Sequence, residues 1–412
     1  MTLSAVPEVP NHVVWWWGAL PVGTSTHLPD EMPLRADELT ALAARYVSEQ
    51  LAARDPSLAE ASAVWGDGHL HRRLLLEAVR KYNRFAAIEA LARPSELDAK
   101  ALSVVVCTRD RPEALDMCLK ALAAQRASPG EIVVVDNSKA GNARDVAGKH
   151  AVRYVHEPRP GLSAARNAGV RCATGSIVAF TDDDVEVDAD WTAELALAFD
   201  GDAGADAVTG LVLPASLDTR ARRMFQFEFG GFGSRFVPSR FDARFFQEAL
   251  SQGAQVWRIG AGANMAFRRS IFERVGLFDE RLGAGAAGCS EDSELWYRIL
   301  AAGGACLYEP RAVVHHHHRH DFGGLRRQMR AYMKGHTAAL LIQYAQHGHR
   351  GNLRRALLQL PRGFLGIASG AVLHGQRRRA ILLVEEVVGW LAGLSYALRP
   401  GWRGRTPHLP QG

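Results

Sequence analysis

Three consecutive aspartates, Asp182, Asp183 and Asp184, follow the apolar run at residues 177–180. Like charges this close raise one another's pKa, so three carboxylates at the end of a buried strand need a reason. One explanation is a solvated polar turn. The other is a divalent cation, because alternate residues of an extended segment point the same way and Asp182 and Asp184 then share one side. Two such carboxylates suit Mg²⁺ or Mn²⁺ completed by phosphate oxygens, which implies a nucleotide diphosphate as ligand.

A second acidic pair, Glu291 and Asp292, stands in the segment GCSEDSELWYRILAAG, just before a helical pattern of apolar residues. Acids are common at helix N-termini, where they meet the positive end of the helix dipole, and Ser290 could cap such a helix. A functional role is the alternative, and it is favoured more for Asp292 than for Glu291. The residue types alone leave both interpretations open.

The segment VVHHHHRHDF carries four consecutive histidines, His315 to His318, and a fifth at His320. After the apolar residues AVV, the first histidine is expected to emerge at the end of a strand. One member of the run could complete a metal shell or contact a diphosphate, or the run could simply be solvated. Strand alternation pairs His315 with His317 and His316 with His318, without choosing between the pairs.

These side chains need a scaffold, and residues 102–184 carry the pattern of one. The runs LSVVVCT, EIVVVDNS, VRYVHEP and SIVAFTDDD read as strands, with helical segments between them. This alternation predicts an α/β fold with a mostly parallel sheet flanked by helices. Ligands bind at the carboxyl ends of such strands, which places Thr108–Arg109, Asp136 and the three aspartates along one crevice. A GxxxxGK[ST] loop is absent, and no GxGxxG follows the first strand.

The chain divides by composition into three parts. Residues 1–100 carry two helical patterns, LRADELTALAARYVSEQLAARD and HRRLLLEAVRKYNRFAAIEALAR, and predict a mainly helical N-terminal extension. Residues 101–320 form the predicted α/β domain. Residues 321–412 read as basic amphipathic helices, with fourteen Lys and Arg against three Asp and Glu, a net charge of +11 in a chain whose total is +5.

A basic tail on a near-neutral body predicts an anionic partner, either nucleic acid or a membrane surface. The apolar run GFLGIASGAVL is too short to span a bilayer, and AILLVEEVVGWLAGLSYAL is interrupted by Glu385 and Glu386. We favour helices lying in the membrane interface, flanked by arginines at 377–379 and 399, over a helical subdomain packed on the body. We expect no nucleic-acid partner. Scattered cysteines without CxxC spacing and an N-terminus without a signal-peptide pattern favour the cytoplasm.

Together these segments resemble the family 2 glycosyltransferases, which have the GT-A fold. The resemblance covers residues 102–319, and its pieces follow the family's order: SVVVCTRDRPEALDMCLKAL, IVVVDNS, GLSAARNAG, FTDDD as the DxD motif, GAGANMAFRRSIFERVGLFDERL, and EDSELWYRI. Each piece alone is weakly specific, but six in register are a strong signal. Two features depart from the family: the N-terminal extension has no counterpart in its core, and the acceptor loop reads GAGAAGCSED.

The resemblance implies roles for the matched residues. On the donor side, the implied roles are Thr108 and Arg109 lining the nucleotide pocket, Asp136 binding the base, Arg166 contacting the nucleotide, Asp182 meeting the ribose or a metal-bound water, and Asp184 coordinating the metal. Asp183 is placed with them among the donor-binding residues and is the one expected to tolerate substitution best. On the acceptor side, Asp292 would be the general base with Glu291 as its neighbour. His315, or a histidine after it, would match the family's late histidine near the metal.

The implied reaction is an inverting transfer of a sugar from a nucleotide-diphospho-sugar, with UDP as the expected nucleotide, to a hydroxyl of a glycan, lipid-linked or secondary-metabolite acceptor. A single in-line displacement needs a base and a Lewis acid, here Mg²⁺ or Mn²⁺, and no covalent intermediate. The enzyme is expected in the cytoplasm, peripheral at the cytoplasmic face of the inner membrane. Two alternatives stay open: a sugar-nucleotide nucleotidyltransferase, although VVVCTRDRPE lacks its glycines, and a non-catalytic membrane-associated protein that keeps the fold.

Overall fold

The computed structural model describes residues 11–27, 36–54, 99–233, 235–373, 377–399 and 402. The described residues fall into two compact units. The first contains the described residues up to Arg54 and two short segments, 235–239 and Glu309–Arg311, and the second contains the remainder. The C-terminal helices therefore belong to the same unit as the residues of the α/β pattern.

The elements are numbered here in chain order. The strands are β1 (Asn11–Trp17), β2 (Leu20–His27), β3 (Leu102–Thr108), β4 (Glu131–Asp136), β5 (Arg153–His156), β6 (Ile177–Asp182), β7 (Val185–Val187), β8 (Ala207–Pro214), β9 (Ser239–Phe241), β10 (Asn264–Arg268) and β11 (Cys306–His316). The helices are α1 (Ala36–Arg54), α2 (Pro112–Ala123), α3 (Arg144–Ala147), α4 (Leu162–Cys172), α5 (Trp191–Gly201), α6 (Arg220–Arg223), α7 (Ala243–Ala249), α8 (Ile271–Val275), α9 (Glu291–Ala301), α10 (Phe322–His347), α11 (Arg350–Arg354), α12 (Leu360–Leu373) and α13 (Arg377–Ala397). Short π-helical turns follow α6 and α11, at Met224–Glu228 and Arg355–Gln359.

The first unit contains an antiparallel hairpin of β1 and β2, which turns at Gly18 with a positive φ of 59°. Tyr46 and Val47 of α1 pack with Leu20 and Val22 in a small apolar cluster. Helix α1 confirms the first helical pattern, and the hairpin adds two strands that the sequence analysis did not predict. Residues 13–17 are two valines and three tryptophans, which are residue types that favour strands. The sequence analysis did not use this signal. The second helical pattern lies outside the described residues.

The second unit is built on a mixed sheet, which confirms the predicted α/β class. Among the described residues the sheet has nine strands in the order β5-β4-β3-β6-β10-β8-β11-β7, with β9 joining at β11. Strands β5, β4, β3 and β6 are parallel to one another. Strand β10 is antiparallel to β6 and β8, and β11 is antiparallel to β7. The antiparallel half was not part of the sequence prediction.

Strand β3 lies at the centre of the parallel half, and all seven of its residues are buried. A run of β-branched residues fits a strand that is covered on both faces. Helix α2 packs on one face through its apolar stripe. Helix α4 approaches the other face closely because Gly169 has no side chain; a Cβ there would lie 2.4 Å from Val105 Cγ1. The strand registers then align Thr108 with Asp136 and Cys107 with Asp182, which forms the predicted edge.

The C-terminal segment is helical, as predicted, and α10 packs against α13. Glu385 is buried in α13 and accepts hydrogen bonds from Arg326 and Arg330 of α10. Gly389 and Gly393 let the two helices approach, since a Cβ at Gly389 would lie 2.4 Å from the Arg330 carbonyl oxygen. Within the described residues, Arg379–Ala397 is long and apolar enough to cross a membrane by length and composition, and a third of it is buried.

Candidate active site

Asp182 and Asp184 lie near His316, because a tight turn follows β6. Asp183 and Asp184 form the turn that joins β6 to β7, and β7 pairs with the end of β11 so that Val185 lies opposite His316. One ligand atom from each of Asp182, Asp184 and His316 lies within 4.8 Å of the others. His316 Nε2 is 3.4 Å from Asp184 Oδ1. Two carboxylates and an imidazole at this spacing can hold a divalent cation such as Mn²⁺.

The histidine of this cluster is His316, whereas the sequence analysis named His315. In the β11–β7 register His315 lies opposite Glu186, and the charges that act on its imidazole are those of Asp188 and Glu186. His317 Nε2 is 2.7 Å from Glu186 Oε1. Alternation along β11 therefore puts His316 on the side of the aspartates and its neighbours on the other. Burial lowers the pKa of His316, which keeps its imidazole in the neutral form that binds metal ions.

Two arginines that the sequence analysis did not name surround Asp184. Arg111 Nη1 donates a hydrogen bond to Asp184 Oδ2 at 2.9 Å, and Arg319 Nη1 lies 3.6 Å from the same oxygen. Burial raises the pKa of Asp184, but the positive charge around it outweighs burial and holds the pKa below its ordinary value. Both arginine side chains are partly exposed, so positive charge borders the cluster on its accessible side.

Asp183 points into the protein, contrary to the expectation that it would be the most tolerant of the three. It is 4% exposed, and its carboxylate accepts hydrogen bonds from Thr108 Oγ1 at 2.8 Å and Arg111 Nη1 at 3.0 Å. Burial and the charge of Asp184 raise the pKa of Asp183 to about 6. Thr108 is buried and holds this turn, whereas Arg109 is half exposed and lies near Asp110. The structure thus brings Thr108 to the aspartates but not Arg109.

Asp136 is fully buried at the end of β4 and organises the loop that follows. Its Oδ1 accepts a hydrogen bond from Ser138 N at 2.9 Å, and its Oδ2 accepts from Ala143 N at 2.7 Å and from the Tyr154 hydroxyl at 3.0 Å. Burial raises its pKa, but these donors outweigh burial and lower it overall. Both oxygens are therefore engaged within the protein. A direct contact to a nucleotide base stays a prediction.

Arg166 joins the cluster of Asp182, Asp184 and His316 to the second acidic pair. Its side chain is 2% exposed, donates to Glu291 Oε1 at 2.5 Å, and donates to Asp182 Oδ1 at 3.2 Å. The same guanidinium donates to the Gly262 carbonyl at 3.2 Å. A Cβ at Gly262 would lie 2.9 Å from Arg166 Nη2 and 3.0 Å from Asp292 Oδ2, so a larger residue here would displace the ends of these two side chains. Arg166 thus holds the two acidic motifs together.

The second acidic pair begins α9, directly after Ser290 in the left-handed region at φ +71°. Ser290 makes no side-chain capping bond, so the cap proposed from the sequence is absent from this helix start. Glu291 is buried, its Oε2 has no hydrogen-bond partner among the described residues, and burial raises its pKa to about 7. Asp292 is only partly buried, and its Oδ1 accepts from Ser293 N at 2.6 Å. Asp292 is therefore the accessible carboxylate of the pair.

Arg111 and Arg319 could have been found by the same argument that found the aspartates. Arg111 follows the end of β3 within the segment TRDRP, and Arg319 follows the histidine run. Both are cations placed just after strand ends, where ligands of α/β sheets bind. The role of Gly262 had no local signal, because it depends on the approach of Arg166 and Asp292 from distant segments.

Comparisons with known proteins find similarity to glycosyltransferases. The sequence profile described as Glycosyl transferase family 2 matches residues 103–276. A glucosyl-dolichyl phosphate glucuronosyltransferase of Haloferax volcanii is 29% identical over 195 residues, which are 44% of this chain and 57% of that protein. The chain therefore spans little more than half the length of this relative. The succinoglycan biosynthesis protein ExoM of Rhizobium meliloti is 29% identical over 312 residues, 71% of this chain and 92% of ExoM.

Among solved structures, this chain is similar to the mannosyltransferase PcManGT from Pyrobaculum calidifontis in complex with GDP-Man and Mn²⁺. The two share 19% sequence identity with a TM-score of 0.48, over 85% of this chain and 99% of PcManGT.

Proposed function

Residues 103–276 of this chain belong to glycosyl transferase family 2, and from this premise we propose that the protein transfers a sugar from a nucleotide-diphospho-sugar to an acceptor hydroxyl with inversion at the anomeric carbon. The observation that carries the proposal is the double contact of Arg166, 3.2 Å from Asp182 and 2.5 Å from Glu291. It joins the cluster of Asp182, Asp184 and His316 to the acidic pair that includes the accessible carboxylate of Asp292. A displacement at the anomeric carbon requires the cation ligands and the general base to lie in the same site.

Asp182, Asp184 and His316 would hold the divalent cation, and their donor set of two carboxylates and a neutral imidazole fits Mn²⁺ or Mg²⁺. When bound, such an ion neutralises charge that develops on a leaving diphosphate. Arg111 and Arg319 border the same oxygen of Asp184 with partly exposed guanidinium groups, whose geometry matches phosphate oxygens. These side chains would hold the diphosphate of the donor, for which UDP is the expected nucleotide.

Asp292 would remove the proton from the acceptor hydroxyl. One of its oxygens accepts from Ser293 N, which fixes the carboxylate, while Oδ2 faces the space beside Gly262. Glu291 suits this task less well, because it is buried and its Oε1 is bound by Arg166. Glu291 would instead hold Arg166, and through it the orientation of Asp182.

The test is binding and turnover with matched variants. Calorimetric titration with UDP, GDP and dTDP, each with and without Mn²⁺, should find a nucleotide that binds only with the metal, and Asp184→Ala should lose that binding. Asp292→Asn should keep the binding but lose release of diphosphate from the cognate nucleotide sugar by ~10²-fold or more. The exposed Asp145→Asn variant is the control. Full turnover by Asp292→Asn would refute the base, and binding without turnover in the unaltered protein would favour the non-catalytic alternative.

The membrane contact predicted from the sequence is supported by one face of α13. Five apolar residues line this face at helical spacing and are 37–85% exposed: Ile381, Val384, Val388, Leu391 and, just past the helix end, Leu398. The exposed Arg354, Arg362 and Arg399 add positive charge in the same segment. An apolar stripe with basic residues binds anionic lipid surfaces. The printed name of the Haloferax relative, a glucosyl-dolichyl phosphate glucuronosyltransferase, is compatible with a lipid-linked acceptor here too.

Flotation with vesicles tests this part of the proposal. The protein should float with vesicles that contain anionic phosphatidylglycerol, and Val384→Glu combined with Leu391→Glu should remove the binding while the nucleotide titration stays unchanged. Equal flotation of this variant would exclude the α13 face as the membrane contact. Location at the cytoplasmic face of the inner membrane stays a prediction.

A further inference from the structure

His316 makes a second polar contact on the side away from the aspartates. Its Nε2 faces Asp184, whereas its Nδ1 lies 3.0 Å from Nδ1 of His318. His316 and His318 are 8% and 4% exposed. Two imidazole nitrogens at this distance share one hydrogen, so one ring must donate and the other accept. The direction of this hydrogen bond decides whether Nε2 of His316 has a free lone pair.

His318 is held in place from several directions. Its ring meets Phe225 edge-on at 4.8 Å between centroids and lies 5.6 Å from Phe232. Phe232 also contacts the ring of His316 at 4.9 Å. Arg222 Nε donates a hydrogen bond to the carbonyl oxygen of His318 at 3.1 Å. The other ring nitrogen of His318, Nε2, has no hydrogen-bond partner among the described residues. The polar contact of this ring is therefore the one to His316.

We propose that His318 is a positioning residue for the cation site: its Nδ1 accepts a hydrogen bond from Nδ1–H of His316, which leaves the lone pair of His316 Nε2 directed toward Asp184 and the cation. The inference rests on the proposed function, since it assigns a role at the same site. Histidines that bind metal ions commonly donate their other ring N–H to a carboxylate or a carbonyl, which fixes the tautomer and the ring orientation. Here a second imidazole takes that place.

The first measurement is Mn²⁺ affinity, followed by loss of the free-ion electron paramagnetic resonance signal as the metal alone is titrated. His318→Leu removes the acceptor and should weaken binding on the order of 10–100-fold. His318→Asn places an amide where Nδ1 stood and should keep most of the affinity. His320, which is exposed and near Asp321, provides the control His320→Leu, which should bind as the unaltered protein does. Unchanged affinity in His318→Leu would overturn the proposal.

If His318→Asn binds Mn²⁺ as weakly as His318→Leu, the proposal is also overturned, because the packing of the ring rather than its hydrogen bond would then determine the affinity. Far-ultraviolet circular dichroism of each variant detects loss of fold. If His316→Ala binds Mn²⁺ as tightly as the unaltered protein, the metal site itself is refuted.

The second measurement is made with saturating Mg²⁺, because without a cation the Asp184 carboxylate can itself accept a hydrogen from Nε2 of His316. Two-bond ¹H–¹⁵N correlation of ¹⁵N-histidine-labelled protein reads the tautomer of each ring, and His316 should carry its hydrogen on Nδ1 in the unaltered and Asn proteins but not in His318→Leu. A hydrogen on Nε2 of His316 in the unaltered protein would overturn the proposal independently of the metal titration.

Discussion

Replacing Arg166 by methionine tests the link between the two acidic motifs. Arg166 and Glu291 are both buried, and the variant keeps an unbranched, though shorter, side chain while removing the charge and the bonds to Glu291, Asp182 and the Gly262 carbonyl. Removal of one partner from a buried ion pair costs roughly 3–5 kcal/mol. For a chain of this size that corresponds to a fall in Tm of roughly 3–6 °C.

The loss of stability in Arg166→Met should depend on pH, and its direction follows from the titration of Glu291. Burial raises its folded pKa to about 7, above its ordinary 4.5, so the folded state holds a proton that the unfolded state releases. The contribution of this proton to the free energy of unfolding is fully present below pH 4.5 and is lost as pH rises toward 7. The charge of Arg166 lowers the pKa of Glu291, so Arg166→Met raises that pKa further. The variant therefore continues to lose stability above pH 7, by up to ~1.4 kcal/mol per pH unit relative to the unaltered protein.

Urea unfolding monitored by tryptophan fluorescence at pH 6, 7, 8 and 9 measures this difference. Arg171→Met, at an exposed arginine of the same helix, is the control and should change little at any pH. Adding Glu291→Gln to Arg166→Met should abolish the widening above pH 7, since the amide does not titrate. A stability gap that is the same at pH 7 and pH 9, or a control that loses as much as Arg166→Met, would refute the reasoning.

Two further predictions concern the turn after β6 and Gly335 of α10, which lies next to Cys289. Asp183→Ala leaves the Thr108 hydroxyl and one Arg111 contact unpaired. Thermal unfolding should show that this variant is ~1–3 kcal/mol less stable. A loss of stability within experimental error would instead support the tolerance expected from the sequence. Gly335→Ala puts a Cβ 2.6 Å from the backbone of Cys289, so Tm and diphosphate release should both fall. Gly363→Ala in α12 has open space and should be neutral or stabilising by up to ~1 kcal/mol, and an equal loss in both variants would exclude the steric argument.

Sequence patterns alone predicted the parallel half of the sheet and the motifs at its edge. Strands β3, β4 and β6 are continuous apolar runs separated by helical segments, and chain order then restricts the topology to parallel neighbours with their carboxyl ends together. For the same reason Asp136 and Asp182 were expected at one edge, where the structure has them. Helix α1 and the C-terminal helices follow from the spacing of their apolar residues. These features depend on neighbours a few residues apart, which a single sequence displays.

The tertiary structure decided which side chains meet. Alternation along β11 separates His315 from His316, but only the pairing of β11 with β7 selects the one that faces Asp184, and a shift of one residue would reverse the choice. The inward direction of Asp183 likewise depends on Thr108 and Arg111, more than seventy positions earlier in the chain. Such pairings are set by packing between distant segments, and no local pattern in the sequence encodes them.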